Sequence, residues 1–328
     1  MWYAGIDLHR ETAVVALVDE SGERAAARTF QCSGPQRIVE YFLEHRPFRA
    51  VIEASCFYRW LYDLLSPHGE VVLAHPLRLR AIWSGRAKTD KLDARVLADL
   101  LRAELIPESY VPPERYQALR DLTRARARLV RGRTKAQNGL HFLLGRYNLR
   151  SPYRMPFGVR GLKWLESLEP PPSSALVRDE LVERVGYFNR RVGRLDEELA
   201  RVAGEFPETE ALTPLHGVGL YSALLVVAEI GEPGRFRSAR QVAAYAGLTP
   251  RVKQSGATLK RGRISKEGSA WLRWILVQAA IKVVRKDQKL RRFYDRIRRR
   301  AGAKRARVAV ARKLAEISWK RLVRWYAA

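Results

Sequence analysis

Tyr3-Ala4-Gly5-Ile6-Asp7, Ala13-Val14-Val15-Ala16-Leu17-Val18 and Arg49-Ala50-Val51-Ile52-Glu53 decide the fold of the first third of this chain. Each is short, rich in Ala, Val, Leu and Ile, and bounded by polar residues, which reads as a buried strand. The first and third end in an acid. Arg24–Phe30 reads as a strand after the Ser21-Gly22 turn, and Glu70–Ala74 as a fifth, stopped by His75-Pro76. Gln36–Glu44 and Phe57–Leu65 have helical spacing. Leu92–Leu105 places Leu92, Val96, Leu97, Leu100 and Leu101 on one stripe. Three strands followed by alternating helices and strands predict a mixed sheet with helices packed on it, over residues 1–110.

Pro112-Pro113 closes that unit. Arg115–Leu144 reads as one long helix and Ala175–Phe206 as another, joined by a Gly-, Pro- and Ser-rich stretch over 145–174 that reads as loop or linker. Such a pair can form an antiparallel hairpin or a coiled coil between subunits. Residues 111–206 are therefore expected to be an all-α linker and 207–328 an all-α C-terminal domain. In the latter, Leu215-His216-Gly217-Val218-Gly219 precedes the apolar run Tyr221–Ile230. This is a hairpin-like arrangement in which Gly217 and Gly219 would let backbone N–H groups approach a phosphate.

Charge narrows the partner. The 328 residues hold 61 Lys and Arg against 34 Asp and Glu, a net +27, which points to a polyanion. The surplus is uneven. Residues 1–110 carry 14 basic and 15 acidic side chains, 111–150 carry 10 and 2, and 282–328 carry 18 and 3. A general arginine-rich bias would not spare the first third. On the long helix, Arg124, Arg128, Arg131 and Lys135 are the expected nucleic-acid contacts, with Lys253, Arg261, Arg263 and Lys266 further on. No apolar run approaches the roughly 20 residues needed to span a bilayer, and no signal peptide is evident, so a cytoplasmic location without membrane contact is expected. Cys32 and Cys56 are too few for a disulfide framework or a zinc site and read as buried free thiols.

The acids carry the chemistry. Asp7 and Glu53 end strands, and Asp90 and Asp93 lie three apart at a helix start, on one face. Four gathered carboxylates repel one another unless a hard cation sits among them. Taken singly, each could instead cap a helix or pair with arginine, and Asp90 in particular could be a helix cap.

Gly5-Ile6-Asp7, Ile52-Glu53-Ala54 and Lys88-Thr89-Asp90-Lys91-Leu92-Asp93-Ala94-Arg95 resemble the three motifs of the DEDD insertion-sequence transposases, the IS-one-ten family. The resemblance extends over nearly the whole chain, through Gly217-Val218-Gly219, Ala244-Tyr245-Ala246-Gly247-Leu248-Thr249-Pro250, Gln254-Ser255-Gly256, Ile264-Ser265-Lys266-Glu267-Gly268 and Leu272-Arg273. It implies an RNase H-like (RuvC-like) α/β catalytic domain holding Mg2+ or Mn2+ on Asp7, Glu53, Asp90 and Asp93. It also implies a C-terminal transposase domain in which Ser255 attacks DNA and becomes covalently linked. Donor and target double-stranded DNA, a noncoding guide RNA, and a homo-oligomer (dimer or tetramer) are the implied partners. Ser265 reads instead as a helix N-cap or phosphate contact. The sequence departs from the pattern at Ser55-Cys56, where members commonly carry Thr-Gly. It departs again at His9-Arg10, near a position often held by lysine. Neither departure is expected to touch a metal ligand. Two rival readings stand beside this one: a junction endonuclease using metal-activated water, needing the acids but not Ser255, and a non-catalytic basic nucleic-acid-binding protein needing neither.

Overall fold

The computed structural model describes residues 1–82, 89–255 and 258–328, with the backbone alone over 252–255 and 258–261. The chain divides into two compact units, Met1–Val111 and Pro112–Ala328.

The first unit is built on a five-stranded sheet. Its strands are β1 (Trp2–Leu8), β2 (Thr12–Asp19), β3 (Arg28–Gln31), β4 (Phe48–Glu53) and β5 (Glu70–Ala74), in the order β3-β2-β1-β4-β5. β2 runs antiparallel to both β1 and β3, while β4 is parallel to β1 and β5 to β4. This is the RNase H-like order. Alternation along each strand sends side chains to two separate layers. Ala4, Ile6, Val15, Leu17 and Ile52 pack with Ile38 and Phe42 of α1 (Pro35–Glu44) and Leu61 and Leu65 of α2 (Tyr58–Leu65). On the other face, Val51 and Val72 pack with Leu97 and Leu101 of α4 (Asp90–Arg102), and Val14 and Ala16 with Ala94. A further helix, α3 (Pro76–Ile82), follows β5.

Gly5 is what lets α4 lie so close to the sheet. A Cβ there would stand 2.0 Å from the Ala94 carbonyl oxygen and 2.5 Å from the Ala98 nitrogen. Gly5 and Asp7 share the α4 face of β1. Seating the helix on Gly5 therefore brings its first turn toward Asp7.

The second unit is mostly helical. α5 (Glu114–Arg146) and α7 (Pro172–Val202) form an antiparallel hairpin within the chain, fastened by Arg126 on Asp196 at 2.9 Å and Arg133 on Asn189 at 3.1 Å. Gly132 admits Phe188, whose ring would lie 2.5 Å from a Cβ placed there. The stretch expected to be linker contains α6 (Val159–Glu166). Its Leu165 joins Leu140, Leu144 and Val185 in a small separate core, and an apolar stripe only eight residues long among Gly, Pro and Ser hid that helix from the sequence. α8 (Leu220–Ile230) is buried all round from Ala223 to Ile230, as its unbroken apolar run requires. Around it lie α9 (Ala239–Tyr245), α10 (Ala270–Val283) and α12 (Ala303–Ala327), while α11 (Gln288–Ala301) buries Ile297 alone and carries its arginines outward.

To the helices the structure adds a two-stranded antiparallel hairpin, β6 (Pro250–Ser255) and β7 (Thr258–Ile264), in which Ser255 pairs with Thr258. Its charged, weakly alternating sequence gave no strand signal. Among the described residues no helix is long and apolar enough to cross a membrane. The expectation of buried thiols is corrected: Cys32 is half-buried and Cys56 exposed, because Cys56 lies in the bend between β4 and α2 rather than on a core-facing position.

Candidate metal centre and nucleic-acid interface

The parallel register Ile6↔Ile52 places Asp7 and Glu53 on the next rung, at the C-terminal ends of adjacent strands. Glu53 follows the parity of Val51 and so belongs, like Asp7, to the α4 face. On α4 the buried stripe Leu101, Leu97, Ala94 continues to Asp90, and Asp93 lies one turn before Leu97. Sheet and helix thus bring all four acids to one edge. Thr89, not Asp90, is the cap: its hydroxyl accepts from the Leu92 N–H at 3.2 Å. That corrects the reading of Asp90 as a cap and frees its carboxylate.

The tightest grouping is Asp7, His9 and Asp90, one ligand atom from each lying within 4.8 Å of the others. His9 Nε2 is 3.2 Å from Asp7 Oδ2 and 3.5 Å from Asp90 Oδ2. Burial pushes the Asp7 carboxyl above its ordinary pKa. The His9 charge pulls it down, and Asp90 and Asp93 push it up again. Glu53 and Asp93 stand at the same edge, outside this set. The donors fit a hard divalent cation: carboxylate oxygens crowded beyond what the local positive charge offsets. The expectation that His9 touches no metal ligand is corrected. The strand's two-residue parity carries it to the same side as Asp7, so Asp-x-His at a strand end was the signal available in the sequence.

In the second unit the basic residues divide. The Arg124 Nε and Nη2 meet Glu229 Oε1 and Oε2 at 2.7 and 3.0 Å, and Glu229 is fully buried. Arg124 is therefore engaged within the fold, as the partner of a buried acid. A polar position on an otherwise apolar helix, Glu229 was the sequence signal for it. Arg128, Arg131 and Lys135 are exposed. Arg131 lies over the Trp271 ring at 4.3 Å, which uses the guanidinium face and leaves its N–H edge for a phosphate.

Gly217 has a φ of +85° and packs against α10, where a Cβ would meet Lys282 Cβ at 2.8 Å. Gly219 is exposed at the N-cap of α8. The two glycines thus differ: packing demands the first, and only the second presents open backbone.

The motif glycines farther on hold the base of the β6–β7 hairpin. The Ser265 N–H donates to the Thr249 carbonyl at 2.9 Å, Lys266 N–H to Gly247 at 3.2 Å, and Ser269 N–H to Tyr245 at 2.8 Å. Gly247 and Gly268 both have positive φ and lie against the opposing backbone. Ser255 is on β6, and the side chains of Ser255, Lys253 and Arg261 lie outside the described residues. Arg263 and Lys266 are exposed. Ser265 is not the N-cap of α10. That role falls to Ser269, whose hydroxyl accepts from the Leu272 N–H at 3.0 Å, four residues nearer the helix.

A family model described as "Transposase IS116/IS110/IS902 family" matches residues 209–295, and a DEDD model described as "Transposase" matches residues 4–149. The chain is similar to a "Probable family 20 transposase" of Pseudomonas aeruginosa, 31% identical across 98% of this chain and 96% of the relative. It is similar to the transposase for an insertion sequence element of Yersinia enterocolitica, 28% identical across 96% and 95%. It is also similar to the "Pilin gene-inverting protein" of Moraxella bovis, 23% identical across 97% and 94%.

Proposed function

Because the chain belongs to the IS116/IS110/IS902 family of insertion-sequence transposases, enzymes that cut and join DNA, we propose that it exchanges DNA strands, with the acids of its first unit holding the metal and Ser255 of its second as nucleophile. The observation that carries the reading is the convergence of Asp7, Asp90 and Asp93, with Glu53 on the neighbouring strand end and His9 beside Asp7. These carboxylates would hold Mg2+ or Mn2+. When bound, such an ion neutralises charge on the scissile phosphate and favours an oxygen nucleophile.

Ser255 would supply that oxygen. Its Oγ forms an ester bond to phosphorus, the bond from phosphorus to a sugar oxygen breaks, and that oxygen leaves as a hydroxyl after taking a proton. Support comes from the clamped base of the hairpin, which holds β6 by backbone bonds at Thr249, Gly247 and Tyr245. A serine on a fixed strand loses less freedom on reaching a phosphate than one on a free loop. Exposed Arg128, Arg131, Lys135, Arg263 and Lys266 would grip the nucleic-acid backbone. A noncoding RNA that pairs with donor and target DNA, and a dimer or tetramer that holds two duplexes, belong to the same proposal. A net +27 accommodates both nucleic acids. Kinship with a gene-inverting protein favours rejoining of cut ends over simple cutting.

The test is an incubation of the full chain with its element DNA and magnesium, followed by mass spectrometry. The native chain should yield a peptide carrying DNA on Ser255. Ser255→Ala should lose adduct and strand transfer while binding DNA as the parent does. Full recombination by Ser255→Ala, or an adduct on another residue, overturns the serine assignment and favours water as nucleophile.

A further inference from the structure

We infer that His9 is itself a ligand of the metal centre, making it a carboxylate–imidazole site that prefers manganese to magnesium. The inference rests on the reading that the acid edge holds a divalent ion.

His9 is placed for this by the turn after β1. It stands two residues past Asp7, and its backbone N–H is pinned to the Thr12 carbonyl at 2.8 Å. Its Nε2 lies 3.2 Å from Asp7 and 3.5 Å from Asp90. The contact to Asp7 is a long hydrogen bond and the one to Asp90 lies beyond hydrogen-bond range, so the nitrogen faces both carboxylates and is held tightly by neither. The two His9 contacts, at 3.2 and 3.5 Å, and the gathering of all three donor atoms within 4.8 Å are compatible with one small ion taking all three as ligands.

The donor set then decides the metal. Magnesium takes oxygen ligands and keeps several waters. An imidazole nitrogen is a softer donor and shifts preference toward first-row transition ions. An Asp-His-Asp set should therefore distinguish manganese from magnesium where an all-carboxylate site would treat them more evenly.

The full chain is loaded with Mn2+ and examined by pulsed electron paramagnetic resonance, with Mn2+ and Mg2+ affinities measured by calorimetry. The native protein should show the nitrogen-14 coupling of a bound imidazole. His9→Gln and His9→Asn should lose that coupling and bind Mn2+ on the order of tenfold more weakly, with a smaller loss for Mg2+. Two variants are used so that a folding defect in one, read by circular dichroism, does not decide the outcome. If native protein binds Mn2+ with no nitrogen coupling, or the coupling survives in both variants, the His9 inference fails and the carboxylate site stands. If native protein binds no Mn2+, or binds it equally after Asp7→Asn, the carboxylate reading fails and the inference falls with it.

Discussion

Asp7 and Glu229 are both acids withdrawn from water, and their surroundings are opposite. Glu229 is fully buried on α8, and both its oxygens are taken: Arg124 holds them at 2.7 and 3.0 Å, and the Ser269 hydroxyl donates to one at 2.8 Å. Asp7 is half-buried, has two further acids pressing on it, and meets His9 at 3.2 Å. A carboxylate that the fold surrounds with donors works for the fold. One that the fold surrounds with more carboxylates is held at a cost in stability, and that cost implies a cation or substrate yet to arrive.

The comparison breaks most visibly at Arg124. Arg124→Ala strands Glu229 with a single hydroxyl, and removal of one partner of a buried pair costs about 3–5 kcal/mol. Urea unfolding should show the loss, and weakened DNA binding should follow only where the fold is lost. A stable variant with impaired binding would return Arg124 to the nucleic-acid surface.

Asp7→Asn should behave in the reverse way. Strand cleavage should fall at least about a hundredfold, since a metal ligand is lost. Stability should not fall. The folded-state pKa of Asp7 is raised, so its ionisation opposes folding: stability is fullest below the unfolded value and declines as pH rises through the folded one. Asparagine removes that decline. The variant's Tm near neutral pH, without divalent ions, should equal or exceed the parent's. A clear drop in Tm would mean that Asp7 is a structural acid like Glu229.

How much of this was legible in the sequence follows the same division. The strands, the helix α4 and the four acids were readable because strand alternation and helical stripes are local patterns. Glu53 and Asp7 could be paired by their strand-end positions. His9 was missed because its role appears only when the β1–β2 turn and the first turn of α4 converge, an event governed by Gly5 lying under Ala94. The pairing of Arg124 with Glu229 was not legible, because charge on a helix says nothing about a partner more than a hundred residues away in the chain. The β6–β7 hairpin was missed because its strand register is set at its base, by backbone bonds at Gly247 and Thr249 that leave little trace in side-chain pattern.

Arg128 and Arg131 extend the comparison to the surface, where both are exposed and lie over Trp271. Changing both to Gln should lower the slope of log affinity against log salt by about 1.8, at roughly 0.9 per phosphate contact on duplex DNA. Filter binding from low to moderate salt measures it. Loss of stacking on Trp271 should reduce stability by no more than about 1 kcal/mol per arginine. An unchanged slope with reduced stability would place them with Arg124.

The smallest effect is a comparison between two serines. Ser269 joins both functions of the Glu229 cluster: it caps α10 through the Leu272 N–H at 3.0 Å and donates to Glu229. Ser269→Ala therefore removes a cap, worth about 1 kcal/mol, and one hydrogen bond to a buried carboxylate. Because Arg124 still holds Glu229, the total should stay near about 1–2 kcal/mol. Among the described residues the Ser265 hydroxyl accepts a long contact from the Glu267 N–H at 3.4 Å, and Ser265→Ala should change stability by at most about 0.5 kcal/mol. A double variant, Arg124→Ala with Ser269→Ala, then shows whether the two donors act together. If they share Glu229, their costs will depart from additivity, because neighbours on one buried charge couple. Strict additivity would mean that Ser269 acts on the helix end alone, and that Arg124 by itself accounts for the contrast between Glu229 and Asp7.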